Sequence, residues 1–528
     1  MTGDFALTRR AFLRAAGVGG LALNGGVGGG MRRPPRAATC AGDFDGFDEY
    51  IQQAIADWQV PGAAVALVRE GQVTFARGYG LRQAGKEGPV DENTIFAIAS
   101  CTKSFTAAAL ALLVDRGKIR WDDALAECLP GLVLPESTDT ARPTIRHALA
   151  HRTGLPAANM LWRGGAWDAD EILRRLRHIV PDAAPGEKFL YNNLMYLAAG
   201  KIVEHAAGRP WSEFVQAELF APLGMARSAA GTAGIDQIDN VAAPHAAVEG
   251  QVHTIDRHSP EAIGPAGTIL SSAADMGRWL LFHLQRGRIR GRDLLSPARI
   301  DEMHAPVDQA TAAPPADDRT PHAPMSRYGL GWFVNDHQGR AMVEHSGVQN
   351  GLVSWMAMLP NEQLGVVILS NNHQTGLNFA LRSWLLDRLL GLPARDWSAI
   401  VREDYANGWQ RELRESKAAF AARPVADMPP SLPVSSYAGT YENTLFGAIR
   451  VSGDNGRLAL RFARRFSGHL EHRTGDAFRA YFDNPMLNDW LVTFALDRGQ
   501  VVSLHAQEAP WAPEWYDDRD DLGNFRRT

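Results

Sequence analysis

The sequence predicts an α+β domain followed by a small antiparallel β domain. Apolar segments at 65–68 and 73–75 flank a short turn, a pattern typical of a strand hairpin. Helical patterns follow in the middle of the chain, and strand patterns return at 331–334, 354–359 and 364–369. Two early strands, central helices and late strands indicate one domain whose sheet uses both ends of its chain.

A long helix is predicted at 100–116, where Ala and Leu dominate and the apolar side chains share one stripe. Gly117 can terminate this helix, because glycine adopts the left-handed conformation that often ends helices. Further helices are predicted at 144–150, 169–178, 193–206 and 274–286.

The pattern changes after a proline-rich stretch that is typical of a linker. Apolar residues then alternate with polar ones, for example at Leu458, Leu460 and Phe462, as expected for half-buried strands. The predicted division is an export signal at 1–41, a main domain at 42–400, a linker at 401–433 and a β domain at 434–528.

Composition and charge exclude several classes of protein. The 528 residues are 45% hydrophobic and 21% charged, values typical of globular chains rather than disordered or coiled-coil ones. The net charge is −5, and because residues 1–41 carry +5, the remainder carries −10. An acidic body without a Lys/Arg cluster argues against a nucleic-acid partner, which requires a basic face.

The N-terminal segment is typical of an export signal. Arg9 and Arg10 precede a weakly apolar stretch rich in Gly and Ala, which favours a twin-arginine signal over an ordinary secretory one. Either signal places the mature chain outside the cytoplasm, and the twin-arginine one favours the periplasm. A lipid anchor on Cys40 is not expected, because the residues before it include no large aliphatic one. No later apolar run reaches the ~18 residues that span a bilayer, so stable membrane insertion is not expected.

Ser100 and Lys103 form the first candidate catalytic element. Three residues apart on a helix, their side chains project from one face. A lysine that is desolvated beside a serine can be neutral and accept the hydroxyl proton. The helix N-terminus adds positive potential and free N–H groups where an oxyanion would form. A capping serine followed by a solvated lysine is the structural alternative.

Tyr191 and Asn193 form the second element, just before a helical run. A tyrosine between cations can relay a proton, and a nearby amide can hold a substrate carbonyl. Tyr-x-Asn also occurs at Tyr405 and Tyr441, but only Tyr191 lies between the long helix and the late strands. The other two are predicted to be packing tyrosines.

The third element is the segment 343–351, which predicts a glycine-bearing edge strand. His345 and Ser346 are candidates to contact a substrate carbonyl or carboxylate, and Gly347 allows the substrate backbone to approach closely. The Val348 N–H is a candidate oxyanion donor. Taken alone, His345 is more often a structural histidine.

Together these motifs resemble those of the serine β-lactamase and penicillin-binding-protein superfamily. The similarity is greatest to the branch that holds class C β-lactamases, DD-carboxypeptidases, D-aminopeptidases and family VIII carboxylesterases, and it covers about residues 45–390. The resemblance implies a DD-peptidase/β-lactamase-like fold, with an antiparallel sheet flanked by helices and an all-helical region. Residues 437–504 are similar to a β-barrel domain often fused to such hydrolases.

The resemblance also implies a role for each motif residue. Ser100 would be the nucleophile and Lys103 its general base, while Tyr191 would pass the proton to the leaving group. Asn193 would hold the acyl side chain, and the backbone N–H groups of Ser100 and Val348 would form the oxyanion hole.

The third motif departs from the Lys-Thr-Gly or Lys-Ser-Gly of most β-lactamases, because His345 replaces the lysine. An imidazole with an unperturbed pKa near 6.5 is largely neutral at pH 7 and anchors a carboxylate less firmly. A carboxylesterase or D-amino-acid peptidase is therefore favoured over an efficient β-lactamase. The alternative is a catalytically silent receptor for cell-wall peptides.

The expected substrate is a small molecule or short peptide with an acyl group, and neither a metal nor another cofactor is required. The C-terminal domain is a candidate dimer interface. The sequence leaves open whether Cys101 pairs with Cys128, and whether Trp162 and Trp167 line the substrate cleft or pack in the core.

Overall fold

The computed structural model places one compact unit over residues 46–528. The residues described are 44–135, 142–248, 250–307, 327–373, 375–407, 411, 415, 428–454, 457–484, 487–509 and 521–528. The predicted export signal, including Cys40, lies outside them, as do residues 408–410, 412–414 and 416–427 of the predicted linker.

The described ranges contain fourteen α-helices. They are α1 (Phe47–Asp57), α2 (Thr102–Asp115), α3 (Leu125–Cys128), α4 (Ile145–Leu149), α5 (Met160–Arg163), α6 (Ala169–Arg175), α7 (Asn193–Ala207), α8 (Trp211–Val215), α9 (Ala221–Leu223), α10 (Gly264–Gly267), α11 (Ala273–Leu284), α12 (Pro297–His304), α13 (Leu377–Leu389) and α14 (Trp397–Asn407). The helices predicted near 145, 170, 195 and 275 correspond to α4, α6, α7 and α11. Helix α14 extends into the segment predicted to be a linker.

The strands before the proline-rich stretch are β1 (Gly62–Arg69), β2 (Gln72–Gly80), β3 (Phe96–Ala97), β4 (Ala229–Ala230), β5 (His245–Val248), β6 (Gln251–Thr254), β7 (Ile269–Ser271), β8 (Arg288–Ile289), β9 (Arg292–Asp293), β10 (Arg327–Tyr328), β11 (Phe333–His337), β12 (Arg340–Gln349), β13 (Leu352–Leu359) and β14 (Leu364–Ser370). Seven of them form an antiparallel sheet in the order β10-β11-β12-β13-β14-β1-β2. The early hairpin β1–β2 thus joins the late strands, which confirms the prediction of a sheet built from both ends of the domain.

Helices cover both faces of the sheet. Strand β1 is buried along almost its whole length, so its alternating side chains face helices on either side. Helix α11 packs on one face, and α1 and α13 pack together on the other. Helix α2 lies within the all-helical region against α7, and its residues from Thr102 to Leu113 are all buried.

The strand predicted at 331–334 is wrong in its boundaries. Residues 329–332 form a bend that separates β10 from β11. Gly331 has a φ of +82°, and a Cβ at this position would lie 2.9 Å from the carbonyl oxygen of Lys103. The close approach to α2 therefore interrupts the extended chain and requires glycine.

The C-terminal residues form a closed eight-stranded antiparallel barrel. Its strands are β15 (Gly439–Asn443), β16 (Gly447–Asp454), β17 (Arg457–Phe462), β18 (Phe466–Thr474), β19 (Ala477–Phe482), β20 (Trp490–Asp497), β21 (Gln500–Glu508) and β22 (Asp521–Arg527). Strand β17 alternates strictly between exposed and buried residues, as its sequence predicts. Aromatic side chains, Tyr441 and Phe494 among them, pack together inside the barrel.

No helix of the described residues has the length and apolar character needed to cross a membrane.

Candidate active site

Ser100 lies in a strained turn that is fixed to the main sheet. The turn is a 3₁₀ helix, Ala99–Cys101, that leads directly into α2. Ala99 has a φ of +46°, a conformation that costs a non-glycine residue about 1–3 kcal/mol. Ser354 on β13 donates its hydroxyl proton to the Ile98 carbonyl oxygen over 2.7 Å, and this contact helps to hold the turn. The half-buried Ser100 side chain is thereby held at the edge of the sheet.

Lys103 follows one turn later and is completely buried. Its Nζ donates to Ser100 Oγ over 3.0 Å, to Asn193 Oδ1 over 2.8 Å and to the Ala266 carbonyl oxygen over 3.0 Å. The predicted Ser-x-x-Lys pair therefore exists as a direct hydrogen bond, with Asn193 of the second motif on the same amine.

These three acceptors suit proton transfer. A lysine ammonium has three N–H donors, and three oxygens lie within hydrogen-bond distance of this one. When the amine loses a proton, the bonds to Asn193 and Ala266 remain, and the third position becomes a lone pair directed at Ser100 Oγ. The amine can then accept the serine proton without any movement of heavy atoms.

Tyr191 lies over the same amine, with its ring centroid 4.8 Å from Lys103 Nζ. Its ring is also 4.2 Å from the ring of His151, which is buried. Leu190 donates its N–H to the His151 carbonyl oxygen, and Asn192 donates its N–H to His151 Nδ1 over 3.0 Å. His151 therefore fixes the backbone on both sides of the tyrosine.

His151 is neutral in this environment. Burial, with the nearby positive charge of Lys103, lowers its pKa well below the ordinary value. Its Nδ1 accepts a hydrogen bond, so the proton of the neutral ring is on Nε2. His151 belongs to none of the three motifs that the sequence singled out, because its role depends on contacts with the distant segment around Tyr191.

Asn193 connects Lys103 to two residues that the motifs did not identify. Its Nδ2 donates to Asn159 Oδ1 over 3.3 Å, and Trp162 Nε1 donates to the same oxygen over 2.9 Å. The amide of Asn193 thus orients the amine of Lys103 and is itself oriented by Asn159. The predicted contact between Asn193 and a substrate acyl group stays a prediction.

The edge-strand prediction is wrong for the segment as a whole, because β12 lies between β11 and β13 in the sheet. Strand β12 nevertheless passes directly beside the nucleophile. Its pairing with β11 ends at Glu344, whereas its pairing with β13 continues to Gln349. A Cβ at Gly347 would lie 2.2 Å from the Ile98 carbonyl oxygen and 2.9 Å from the Ser100 backbone nitrogen. Glycine is therefore required for this approach, which brings the strand that carries Val348 against Ser100. The oxyanion role of the Ser100 and Val348 N–H groups stays a prediction.

The structure corrects the expected role of His345. The side chain is only 1% exposed, and both ring nitrogens have protein partners. Tyr328 Oη lies 2.9 Å from Nε2, and Nδ1 lies 2.6 Å from the Ser346 carbonyl oxygen. Burial and the charge of Lys103 lower the pKa of His345 to about 3. A buried, neutral ring whose nitrogens both have protein partners is not available to bind a substrate carboxylate. Ser346 is half-buried beside it.

The structure also describes several other side chains that the sequence analysis considered. Cys101 and Cys128 are free thiols, so they do not pair. Tyr405 and Tyr441 are buried packing residues, as predicted. Among the residues with described positions, no group of three or more His, Cys, Asp or Glu side chains is arranged to hold a metal ion.

Cys101 directly follows Ser100 and provides a test of which side chain attacks. Burial raises the pKa of this fully buried thiol to about 12, so it is protonated at pH 8. Iodoacetamide at pH 8 is expected to leave turnover of the native protein unchanged, whereas a fluorophosphonate abolishes it. Peptide mapping provides the control, because Cys101 should be alkylated only after unfolding. Loss of activity in step with Cys101 alkylation would contradict a serine nucleophile.

Comparison with protein families gives two matches. Residues 47–389 match the model of the beta-lactamase family, and residues 423–521 match a domain of unknown function, DUF3471. The first match contains Ser100, Lys103 and Tyr191, together with His345 and the strand that follows it.

Individual relatives agree with this family. An unguisins hydrolase of Aspergillus campestris is 29% identical over 446 residues, which are 80% of each chain. The D-amino acid amidase of Ochrobactrum anthropi, solved with D-phenylalanine, is 26% identical with a TM-score of 0.54, over 65% of this chain and 98% of that one.

One solved structure is similar over more of the chain than the hydrolase domain. An octameric penicillin-binding protein homologue from Pyrococcus abyssi covers 91% of this chain and 99% of its own, with 21% identity and a TM-score of 0.57. The family match over more than half of the residues and the Ser100–Lys103 contact within it lead to one conclusion. The chain belongs to the beta-lactamase family and is a serine hydrolase.

Proposed function

We propose that the protein hydrolyses an amide bond of small peptides or amides that contain a D-amino acid, through an acyl-enzyme on Ser100. The observation that carries the proposal is the 3.0 Å contact between Lys103 Nζ and Ser100 Oγ, where Asn193 and Ala266 supply two further, neutral acceptors to the amine. Esterase activity is the second possibility within the same chemistry.

The acylation step can be written from the residues in contact. Ser100 Oγ attacks the amide carbonyl carbon while its proton passes to the unprotonated amine of Lys103. The C–N bond then breaks, and a proton reaches the leaving nitrogen through Tyr191, whose ring lies 4.8 Å from Nζ. Water adds to the acyl carbon in the second half of the reaction, which releases the carboxylic acid and restores the Ser100 hydroxyl.

The substrate class rests on the relatives. The names of the unguisins hydrolase and the D-amino acid amidase both describe hydrolysis, and the second specifies the D-amino acid. Both relatives are more than 25% identical to this chain. The replacement of the usual third-motif lysine, together with the burial of His345, also supports a substrate other than a β-lactam.

Intact-protein mass spectrometry tests the proposal. The protein is incubated separately with a fluorophosphonate, D- and L-phenylalanine amide, a D-alanyl peptide, a short acyl ester and a penicillin. We expect an adduct on Ser100 with the fluorophosphonate, and faster release of ammonia from the D-amide than from the L-amide. Saturable peptide binding without any adduct or product would instead favour the catalytically silent receptor.

We also propose that the chain is exported to the periplasm through a twin-arginine signal, on the basis of Arg9 and Arg10 and the weakly apolar stretch after them. Replacing both arginines with lysine is expected to retain the protein inside the cell, as measured by cell fractionation. Unchanged export of this variant would favour an ordinary secretory signal.

A further inference from the structure

A turn of the C-terminal barrel packs against the helical region beside the active site. The turn joins β17 to β18 and contains Ala463, Arg464 and Arg465. Arg464 donates its backbone N–H to the Gly164 carbonyl oxygen over 3.1 Å. A Cβ on Gly164 would lie 2.8 Å from the Ala463 Cβ, and one on Gly165 would lie 3.1 Å from Arg465 Nε. Two consecutive glycines therefore leave the space that this turn occupies.

Hydrogen bonds connect the helical segment under the turn to the amine of Lys103. Trp162, two residues before Gly164, donates to Asn159, and Asn159 accepts from Asn193. Asn193 in turn accepts from Lys103 over 2.8 Å. A short series of hydrogen bonds therefore connects the base of the barrel turn to Lys103.

A second series of contacts connects Arg465 to strand β12. The guanidinium of Arg465 hydrogen-bonds to His258 Nε2 and lies 3.5 Å from the Ser259 carbonyl oxygen. Gln349, the residue after Val348, donates its side-chain amide to the His258 carbonyl oxygen. Arg465 is therefore linked through His258 and Gln349 to the strand that carries Val348, and this side of the active site is called its rim below.

The charge of Arg465 is not neutralised at this rim. Where side chains are described, no carboxylate forms an ion pair with Arg465, and its partners are a histidine and a backbone carbonyl. Burial and the nearby charges of Arg465 and Arg163 lower the pKa of His258 to about 4, so this ring is neutral at pH 7. An exposed, planar guanidinium without a carboxylate partner among the described side chains is well suited to bind a carboxylate through two hydrogen bonds.

We propose that Arg465 binds a carboxylate group of the substrate, so that the barrel contributes a specificity-determining residue to the active site of the hydrolase domain. The inference rests on the proposed function, and it narrows the substrate class to short peptides or amides with a free carboxylate. The buried His345 is unavailable for that contact, whereas Arg465 is exposed at the rim.

The test compares two peptides that differ only in charge. One D-amino-acid peptide is prepared with a free C-terminal carboxylate and again as its C-terminal amide. For Arg465→Gln we expect KM for the acid to rise about 10-fold, as for loss of one charge-assisted contact, with little change in kcat and no change for the amide. Arg464→Gln is the matched control, because this neighbouring arginine is exposed and contacts the helical region through its backbone.

Fluorophosphonate labelling of Ser100 supplies a readout that does not depend on turnover. The acid peptide is expected to protect Ser100 in the unmodified protein and to lose that protection in Arg465→Gln. Equal losses for acid and amide would show that Arg465 only holds the barrel in place, and unchanged KM and protection would also overturn the proposal. If neither peptide is hydrolysed and no acyl-enzyme forms, the proposed function fails, while the protection experiment still decides the role of Arg465.

Discussion

Replacing Ser100 with alanine is expected to reduce kcat about 10⁴- to 10⁶-fold, because the hydroxyl that Lys103 Nζ contacts at 3.0 Å would be removed. Losses of this size are typical when the nucleophile of a serine hydrolase is removed. The fold should persist, since the side chain is half-buried and its hydrogen bond runs to Lys103 within the same site. Turnover is measured with the best substrate of the mass-spectrometry panel, and labelling by a fluorophosphonate should be lost in parallel.

Ser104→Ala is the matched control for this prediction. Ser104 lies on the same helix and is buried, donates to the Cys101 carbonyl oxygen and accepts from Trp279 Nε1 over 3.1 Å. Its removal leaves the indole N–H without an acceptor and should cost about 1–3 kcal/mol of unfolding free energy. Turnover at 25 °C should nevertheless be largely retained. Full activity of Ser100→Ala, or equal losses in the two variants, would contradict the role of Ser100.

The catalytic pair was predictable because it depends on local geometry. A serine and a lysine three residues apart at a helix start must share one face, and the structure brings them within 3.0 Å. The order of the three motifs also indicated that Tyr191, rather than Tyr405 or Tyr441, would lie near this pair. Its ring is found 4.8 Å from the amine.

The remainder of the site depends on contacts between distant segments. Asn159 belongs to no motif, yet it orients Asn193 through a side-chain contact that spans 34 residues. The burial of His345 depends on Tyr328, whose position follows from the bend at Gly331 against α2. Sequence periodicity reports which face of an element is apolar, but it does not report which segment covers that face.

In the barrel, too, the sequence predicted the strands but not the packing of the turn that joins two of them. Alternating residues predicted its strands, and the alternation in β17 matches them. The turn at 463–465 has the polar composition of any exposed connection, and only its packing against Gly164 reveals its proximity to the cleft.

Acidification from pH 7 to pH 5 is expected to destabilise the protein strongly, because several histidines are buried in the neutral form. Burial lowers the pKa of His304 and His345 to about 3, that of His373 to about 4, and those of His151 and His283 well below the ordinary value. The unfolded chain, with ordinary histidine pKa values near 6.5, binds more protons than the folded chain below that pH. The stabilisation is therefore complete above about pH 6.5 and is lost as the pH falls toward the folded values.

The loss of unfolding free energy should be large, and it should occur between pH 7 and pH 5, where carboxylates titrate little. By linkage, His304 and His345 each remove about 2 kcal/mol at pH 5, against the 5–15 kcal/mol typical of a folded domain. Asp and Glu side chains titrate mainly below pH 5, so the slope between pH 7 and pH 5 reports the histidines. The measurement is the free energy of urea unfolding at pH 7, 6 and 5.

Two variants identify which histidines cause the unfolding free energy to depend on pH. His304→Phe keeps a ring against Trp332 and removes the titrating group, so its unfolding free energy should depend less on pH, whatever its value at pH 7. His178 is exposed, and His178→Gln should retain the full slope. A flat profile for the unmodified protein between pH 7 and pH 5 would show that these histidines do not take up protons on unfolding. An unchanged slope in His304→Phe would show that His304, whose ring lies between His283 and Trp332, does not contribute to the pH dependence of stability.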